Sequence, residues 1–345
     1  GGERPAGVPQ SRPAGSPARN QESTLLQYWM MRWLVWLTSH VPRRARLAVA
    51  GALGEVVFLA WRSKRRVTTA NMAQVLGVAP DAAAARWAAR RSWRNYGRYM
   101  AEFFYLPNAS VADIIARLED TTPAPGWRAR LETANATGRG ILFPTAHYGN
   151  WDAGGVMMAS FAPVHVIAET FADPRLNRLV VDQRARLGMT VIQAEGSLRR
   201  IMRALQAGGH VATPVDRPLT EGDGVPITFF GRRCYAPSGT AKLALKTGAY
   251  VIPGFVWNDE EYSRTFYGYT AEPILFEPTP DHDADIAALT QRIYDEIEVA
   301  IRKHPTQWYM FRPFWPEEDA NAASPAPAMV AASPGAHDAA TIGEG

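Results

Sequence analysis

Residues 141–155 read Ile-Leu-Phe-Pro-Thr-Ala-His-Tyr-Gly-Asn-Trp-Asp-Ala-Gly-Gly. Ile141–Pro144 has the length and apolarity of a buried strand. His147 follows it, and Asp152 stands five residues further on. In a regular helix, five residues turn the second side chain about 140° from the first; in a strand, an odd step sends the two to opposite faces. The pair meets only if His147 lies just past the strand, Gly149 turns the chain and Asp152 sits on the first turn of a helix. The residues for that junction are present in order. Gly149 permits a positive φ, Asn150 can cap a helix, and Ala153-Gly154-Gly155 allow the helix start to pack closely. The stretch predicts a strand–turn–helix junction with an imidazole–carboxylate contact.

A carboxylate on one imidazole nitrogen fixes the tautomer and raises the basicity of the other, which then takes a proton from an attacking hydroxyl. No serine or cysteine need be acylated. On spacing alone, a histidine and carboxylate that only hydrogen-bond within a turn remain the simpler account.

Outward from this stretch, the texture from Gly138 is one of short apolar runs separated by helical stretches. Ile141–Pro144, Val164–Ala168, Val191–Gln193, His210–Val215, Ile227–Phe230 and Val251–Val256 have strand length. Arg175–Leu187, Leu198–Gln206 and Gly239–Thr247 between them have helical patterns, and a last amphipathic helix is expected over Asp283–Lys303. Strands alternating with helices predict an α/β fold with a mostly parallel central sheet flanked by helices, occupying residues 138–316. Upstream, residues 81–119 read as helical until Pro107-Asn108, and Tyr96, Tyr99, Met100, Phe103 and Phe104 form a stripe expected in the core.

The chain has 345 residues, 47% of them apolar and 20% charged, which is ample for a sizeable core. A lone cysteine, Cys234, excludes an internal disulfide and points to a reducing compartment. Residues 1–75 carry eleven Lys/Arg against three acids, Glu3, Glu22 and Glu55. The basic residues are interleaved with Trp29, Trp33, Trp36, Trp61 and long aliphatic runs. That is the composition of a membrane interface rather than of a nucleic-acid surface, and no nucleic acid is expected. A buried helical hairpin with solvated arginines is the plainer alternative.

Helices are expected over 23–39 and from Leu47 to Trp61, each shorter than the run of about 18 apolar residues that marks a span. They are expected to lie in or against the bilayer, with a tilted span by the first left open. The region 23–137 thus reads as an N-terminal membrane-associated helical segment on the cytoplasmic face of the inner membrane. Residues 1–22 and 317–345, rich in Ala, Pro, Gly and Ser, read as disordered.

The spacing His147-(four residues)-Asp152 resembles the His-x4-Asp/Glu motif of the lysophospholipid acyltransferase superfamily. The most similar branch holds the lipid A secondary acyltransferases and the phosphatidylinositol mannoside acyltransferases. The resemblance extends over about residues 25–316, through Arg65-Arg66-Val67, Asn71-Met72, Arg184-Ala185-Arg186-Leu187-Gly188, Gly196-Ser197-Leu198-Arg199, Asp216-Arg217, Val225-Pro226-Ile227, Gly239-Thr240-Ala241 and Pro305-Thr306-Gln307-Trp308. It implies a glycerolipid-acyltransferase-like fold and transfer of a fatty acyl chain from acyl-CoA or acyl carrier protein to a hydroxyl of a membrane glycolipid or phospholipid. His147 is implied as general base and Asp152 as its orienting partner. Arg184 and Arg199 are implied near the cleft as phosphate or oxyanion ligands. Glu169 falls where the mannoside branch has an acid near the acceptor, and Asp216 is implied as a further site residue at a strand's carboxyl end. Pro218 and Pro226 depart from the family's pattern and bear on the acceptor more than on the reaction.

His165 is expected as a satisfied core histidine, and no histidine has the spacing of a metal site, so neither metal nor cofactor is expected. A monomer is expected. A lipid or ester hydrolase using the same pair with water is one alternative, although no Gly-x-Ser-x-Gly elbow is present. A catalytically inactive membrane-binding protein is the other.

Overall fold

The structure, a computed structural model, describes residues 17–168, 173–193, 198–259 and 265–316. The chain opens with four helices, α1 (Pro17–His40), α2 (Arg43–Ala60), α3 (Arg62–Leu76) and α4 (Ala83–Tyr105). The first two run longer than the sequence suggests, and α3 falls on a basic stretch with no helix foreseen. It is helical because its inward face is apolar or satisfiable: Thr68, Asn71, Met72 and Val75 are buried while Arg62 and Arg66 stay exposed. Asn71 donates to the carbonyls of Met310 and Arg312, tying the C-terminal segment to this layer. The α2–α4 crossing is close enough that a Cβ on Gly54 would meet the Trp93 carbonyl oxygen at 2.2 Å. Among the described residues no helix is long and apolar enough to cross a membrane.

After α5 (Val111–Ile115), β1 (Leu118–Asp120) and α6 (Trp127–Asn135) comes the α/β unit. It comprises β2 (Ile141–Thr145), α7 (Trp151–Ala159), β3 (Val164–Ala168), α8 (Pro174–Arg186), β4 (Met189–Gln193), α9 (Leu198–Gln206) and β5 (His210–Pro214). A hairpin of β6 (Val225–Phe229) and β7 (Arg232–Ala236) follows, then α10 (Gly239–Thr247), β8 (Tyr250–Val251), β9 (Gly254–Asn258), β10 (Phe266–Thr270) and α11 (His282–Lys303).

The central sheet has the order β4-β3-β5-β2-β8, with every neighbouring pair parallel. The expected α/β architecture is therefore present. One expected strand is divided: Val251–Val256 holds β8, which pairs with β2, and β9, which pairs antiparallel with β10 in a second sheet. Pro253 lies between them, where the chain passes from one sheet to the other.

Because β2 and β5 are adjacent and parallel, both deliver their carboxyl ends to the same edge of the sheet. Their register pairs Thr145 with Pro214. The chain segments that leave these two strands are where a site belongs in an open α/β sheet.

Candidate active site

The junction expected from residues 141–155 forms. Gly149 adopts φ +59°, and a Cβ there would meet the Val256 carbonyl oxygen at 2.2 Å, so both conformation and space require glycine. Asn150 caps α7 by accepting from the Ala153 amide at 3.0 Å. Asp152 stands in the first turn of that helix.

The imidazole, however, takes a different carboxylate. His147 Nδ1 lies 2.8 Å from Asp216 Oδ1, and the His147 amide donates to the same carboxylate at 3.0 Å. Trp308 Nε1 donates to Asp216 Oδ2 at 2.9 Å. Asp216 is wholly buried, whereas 44% of the His147 side chain is exposed. Burial alone pushes the Asp216 carboxyl up, but the His147 charge and the hydrogen bonds from His147 and Trp308 outweigh it and hold the group below its ordinary value.

Asp152, expected as the partner of His147, is engaged elsewhere. Its Oδ1 accepts from Arg184 Nε at 2.9 Å, and its Oδ2 accepts from the Tyr99 hydroxyl at 2.8 Å. All three side chains are nearly or fully enclosed, and Asp152 raises the Arg184 pKa by direct attraction. Burial, with the Asp152 charge beside it, drives the Tyr99 hydroxyl well above the ordinary tyrosine value. The five-residue step brings Asp152 to the same pocket as His147 but aims its carboxylate at α8 and α4.

The remaining candidates divide. Arg184 lines the pocket. Arg199 is exposed on α9 and is not among the residues that line the pocket. Glu169 lies outside the described residues. His165 is half-buried with its Nδ1 lacking a hydrogen-bond partner, which corrects the expectation of a satisfied core histidine.

Two site residues escaped sequence reasoning. Tyr99 belongs to the expected aromatic stripe, but its hydroxyl makes it a partner of Asp152. Trp308 sits 92 residues from Asp216, so only its burial pointed to an acceptor for its N–H.

His147, Trp151, Asp152, Arg184 and Arg217 line a cavity of about 480 Å³ whose other walls include Phe143, Met157, Met158, Val166, Val180 and Met189. A mostly apolar chamber with a few convergent polar groups has the character of a small-molecule site.

A family model described as "Bacterial lipid A biosynthesis acyltransferase" matches residues 16–317. A phosphatidylinositol mannoside acyltransferase of Mycobacterium tuberculosis (strain CDC 1551 / Oshkosh) is 31% identical over 250 residues, covering 71% of this chain and 75% of the relative. Its counterpart from Mycolicibacterium smegmatis is 30% identical over 250 residues, covering 71% of this chain and 77% of that protein.

Proposed function

Because the chain belongs to the bacterial lipid A biosynthesis acyltransferase family, we propose that it moves a fatty acyl chain from a thioester to a lipid hydroxyl, with His147 and Asp216 as the general-base pair. The observation that carries this reading is the imidazole at the apolar cavity with its Nδ1 on a buried carboxylate. Asp216 holds the tautomer in which Nδ1 carries the proton. Nε2 then accepts the proton of the acceptor hydroxyl as its oxygen attacks the thioester carbonyl. Collapse of the tetrahedral intermediate breaks the carbon–sulfur bond, and the imidazolium returns the proton to the departing thiolate. Asp216 stabilises the imidazolium while it lasts.

Asp152 acts at one remove in this scheme. With Arg184 and Tyr99 it braces α7, α8 and α4 around the cavity, so that its loss loosens the chamber that holds the acyl chain. The donor is acyl-CoA or acyl carrier protein. The acceptor is a lipid A precursor or a phosphatidylinositol mannoside-like glycolipid, and the names of the mycobacterial relatives favour the latter.

The protein works on the cytoplasmic face of the inner membrane, resting on α1 and α2 without spanning. Trp29, Trp33 and Trp36 on α1 and Val49, Leu53 and Val56 on α2 are each more than half exposed. Tryptophan beside aliphatic surface and arginine suits the interface between water and lipid.

Incubation of the protein with labelled acyl-CoA, with and without glycolipid acceptor, tests the reaction. Acceptor-dependent appearance of acylated lipid is expected. Release of free fatty acid at the same rate with or without acceptor sinks the transferase reading in favour of a hydrolase.

A further inference from the structure

A second cavity, of about 1510 Å³, lies between the α1–α2 junction, α4 and α5, and shares no lining residue with the one that holds His147. Its walls carry Arg43, Arg44, Arg46, Arg94, Arg98 and Arg117, and Asp113 is the single carboxylate among its described lining residues. Glu102 reaches Arg43 at 2.8 Å and Arg117 at 4.0 Å, and Glu55 reaches Arg94 at 2.9 Å. Among the described residues three carboxylates thus answer six guanidiniums, which leaves an excess of positive charge around a half-open cavity.

The start of α2 faces this cavity and is built against ordinary helix preference. Pro42 caps it without a side-chain hydrogen bond, and no acid lies in its first turn. Arg43, Arg44 and Arg46 stand there instead. Cations at the positive end of a helix dipole are unfavourable, and the first amides of a helix have no partner within it. An anion seated at this end reverses both terms.

Arg46 adds an independent observation. It is only 8% exposed, gives Nη1 to the Thr38 carbonyl at 3.0 Å and lies 3.6 Å over the Tyr105 ring. Its Nε is buried with no hydrogen-bond partner, and so is the Nε of Arg94. Burial draws the Arg46 guanidinium below its ordinary value despite the pull of Glu102, a cost that a bound anion removes. Guanidinium groups gathered beside a helix N-terminus suit the tetrahedral oxygens of a phosphoryl group.

We propose that this cavity is a receptor for a phosphoryl group, distinct from the acyl-transfer site. Two sources present that chemistry: the phosphodiester of a phospholipid headgroup and the nucleotide phosphates of a coenzyme A thioester. The helices that build the cavity also expose Trp33, Trp36, Val49 and Leu53, which favours the headgroup. The lipid source rests on the membrane reading given above, whereas the phosphate site does not.

The full-length chain is titrated calorimetrically with dihexanoyl phosphatidylglycerol below its micelle concentration and, separately, with adenosine 3′,5′-bisphosphate. Saturable, salt-sensitive binding of at least one is expected, weakened about fivefold or more by Arg44→Gln and by Arg46→Lys, the second keeping the charge but losing the fork. The His147→Ala protein is expected to bind as the wild type does, which separates this site from the catalytic one. Binding of the phosphatidylglycerol assigns the headgroup, and binding of the bisphosphate alone assigns the donor. If Arg46→Lys fails to fold, Arg44→Gln, at an exposed position, decides. Absence of binding by both probes, or binding undiminished in Arg44→Gln, overturns the proposal.

Discussion

His147 and Asp216 each stand two residues beyond a register pair, Thr145 on β2 and Pro214 on β5, and their side chains meet at 2.8 Å. The contact is a consequence of strand adjacency: equal steps past equal positions on parallel neighbours end side by side. Neither residue needs the other nearby in sequence.

If the two act as a unit, His147→Ala and Asp216→Asn each lower kcat/KM for acyl transfer by about 100- to 10,000-fold. The double variant is then scarcely worse than the more damaged single one. Steady-state rates with an acyl-CoA donor check this, and multiplicative losses would show that the residues work separately.

The depressed Asp216 carboxyl also links folding to pH. Its folded value lies below the ordinary aspartate value of about 4, so its contribution is fully present above that value and drains away as pH falls through the folded one. Asp173, held at about 2 chiefly by its hydrogen bond from Arg175, works in the same direction. Acid titration of denaturant stability is expected to fall less steeply below about pH 4 for Asp216→Asn than for wild type. Identical slopes would place the acid sensitivity elsewhere.

Asp152 differs from His147 in what its loss leaves behind. Asp152→Ala strands the enclosed Arg184 guanidinium and removes the acceptor of Tyr99, at a cost of about 3–5 kcal/mol. Tyr99→Phe costs about 1.5–3 kcal/mol, the worth of a hydrogen bond to a charged group. His147→Ala takes one hydrogen bond from the buried Asp216 carboxylate but leaves the backbone amide and Trp308 donors, at a cost of about 1–3 kcal/mol. Urea unfolding curves order the three, and a His147 variant as unstable as the Asp152 one contradicts the assignment.

The proposed membrane contact rests on the exposed tryptophans of α1. Replacing Trp29, Trp33 and Trp36 together by serine is expected to lower sedimentation with anionic vesicles about tenfold or more, with melting temperature unchanged. Undiminished sedimentation moves the contact to another face.

What the sequence made legible was local. The strand Ile141–Pro144, the turn at Gly149 and the Asn150 cap depend on a few consecutive residues, and all are present. The partner of His147 depends on which strand lies beside β2, and strand order is settled by packing across the whole domain. Asp152 is the natural choice in a linear reading because it is near, but its carboxylate answers to Arg184 and Tyr99, 32 and 53 residues away. The helix α3 was obscured for a related reason: its arginines mask a buried face that only acquires meaning once residues 310–312 lie against it.

Residues 306–309 lace the loop of His147 to the rest of the molecule. Gly149 donates to the Gln307 carbonyl, Tyr309 donates to the His147 carbonyl, and Tyr148 bridges Trp308. On the other side, Ser92 and Asn95 of α4 donate to the carbonyls of Trp308 and Thr306. A ribosome making this chain therefore releases α1 through α4 long before the surroundings of His147 are complete, since Asp216 lacks its indole donor until residue 308 has emerged. The His147–Asp216 contact is thus held from two distant parts of the chain, α4 on one side and residues 306–309 on the other.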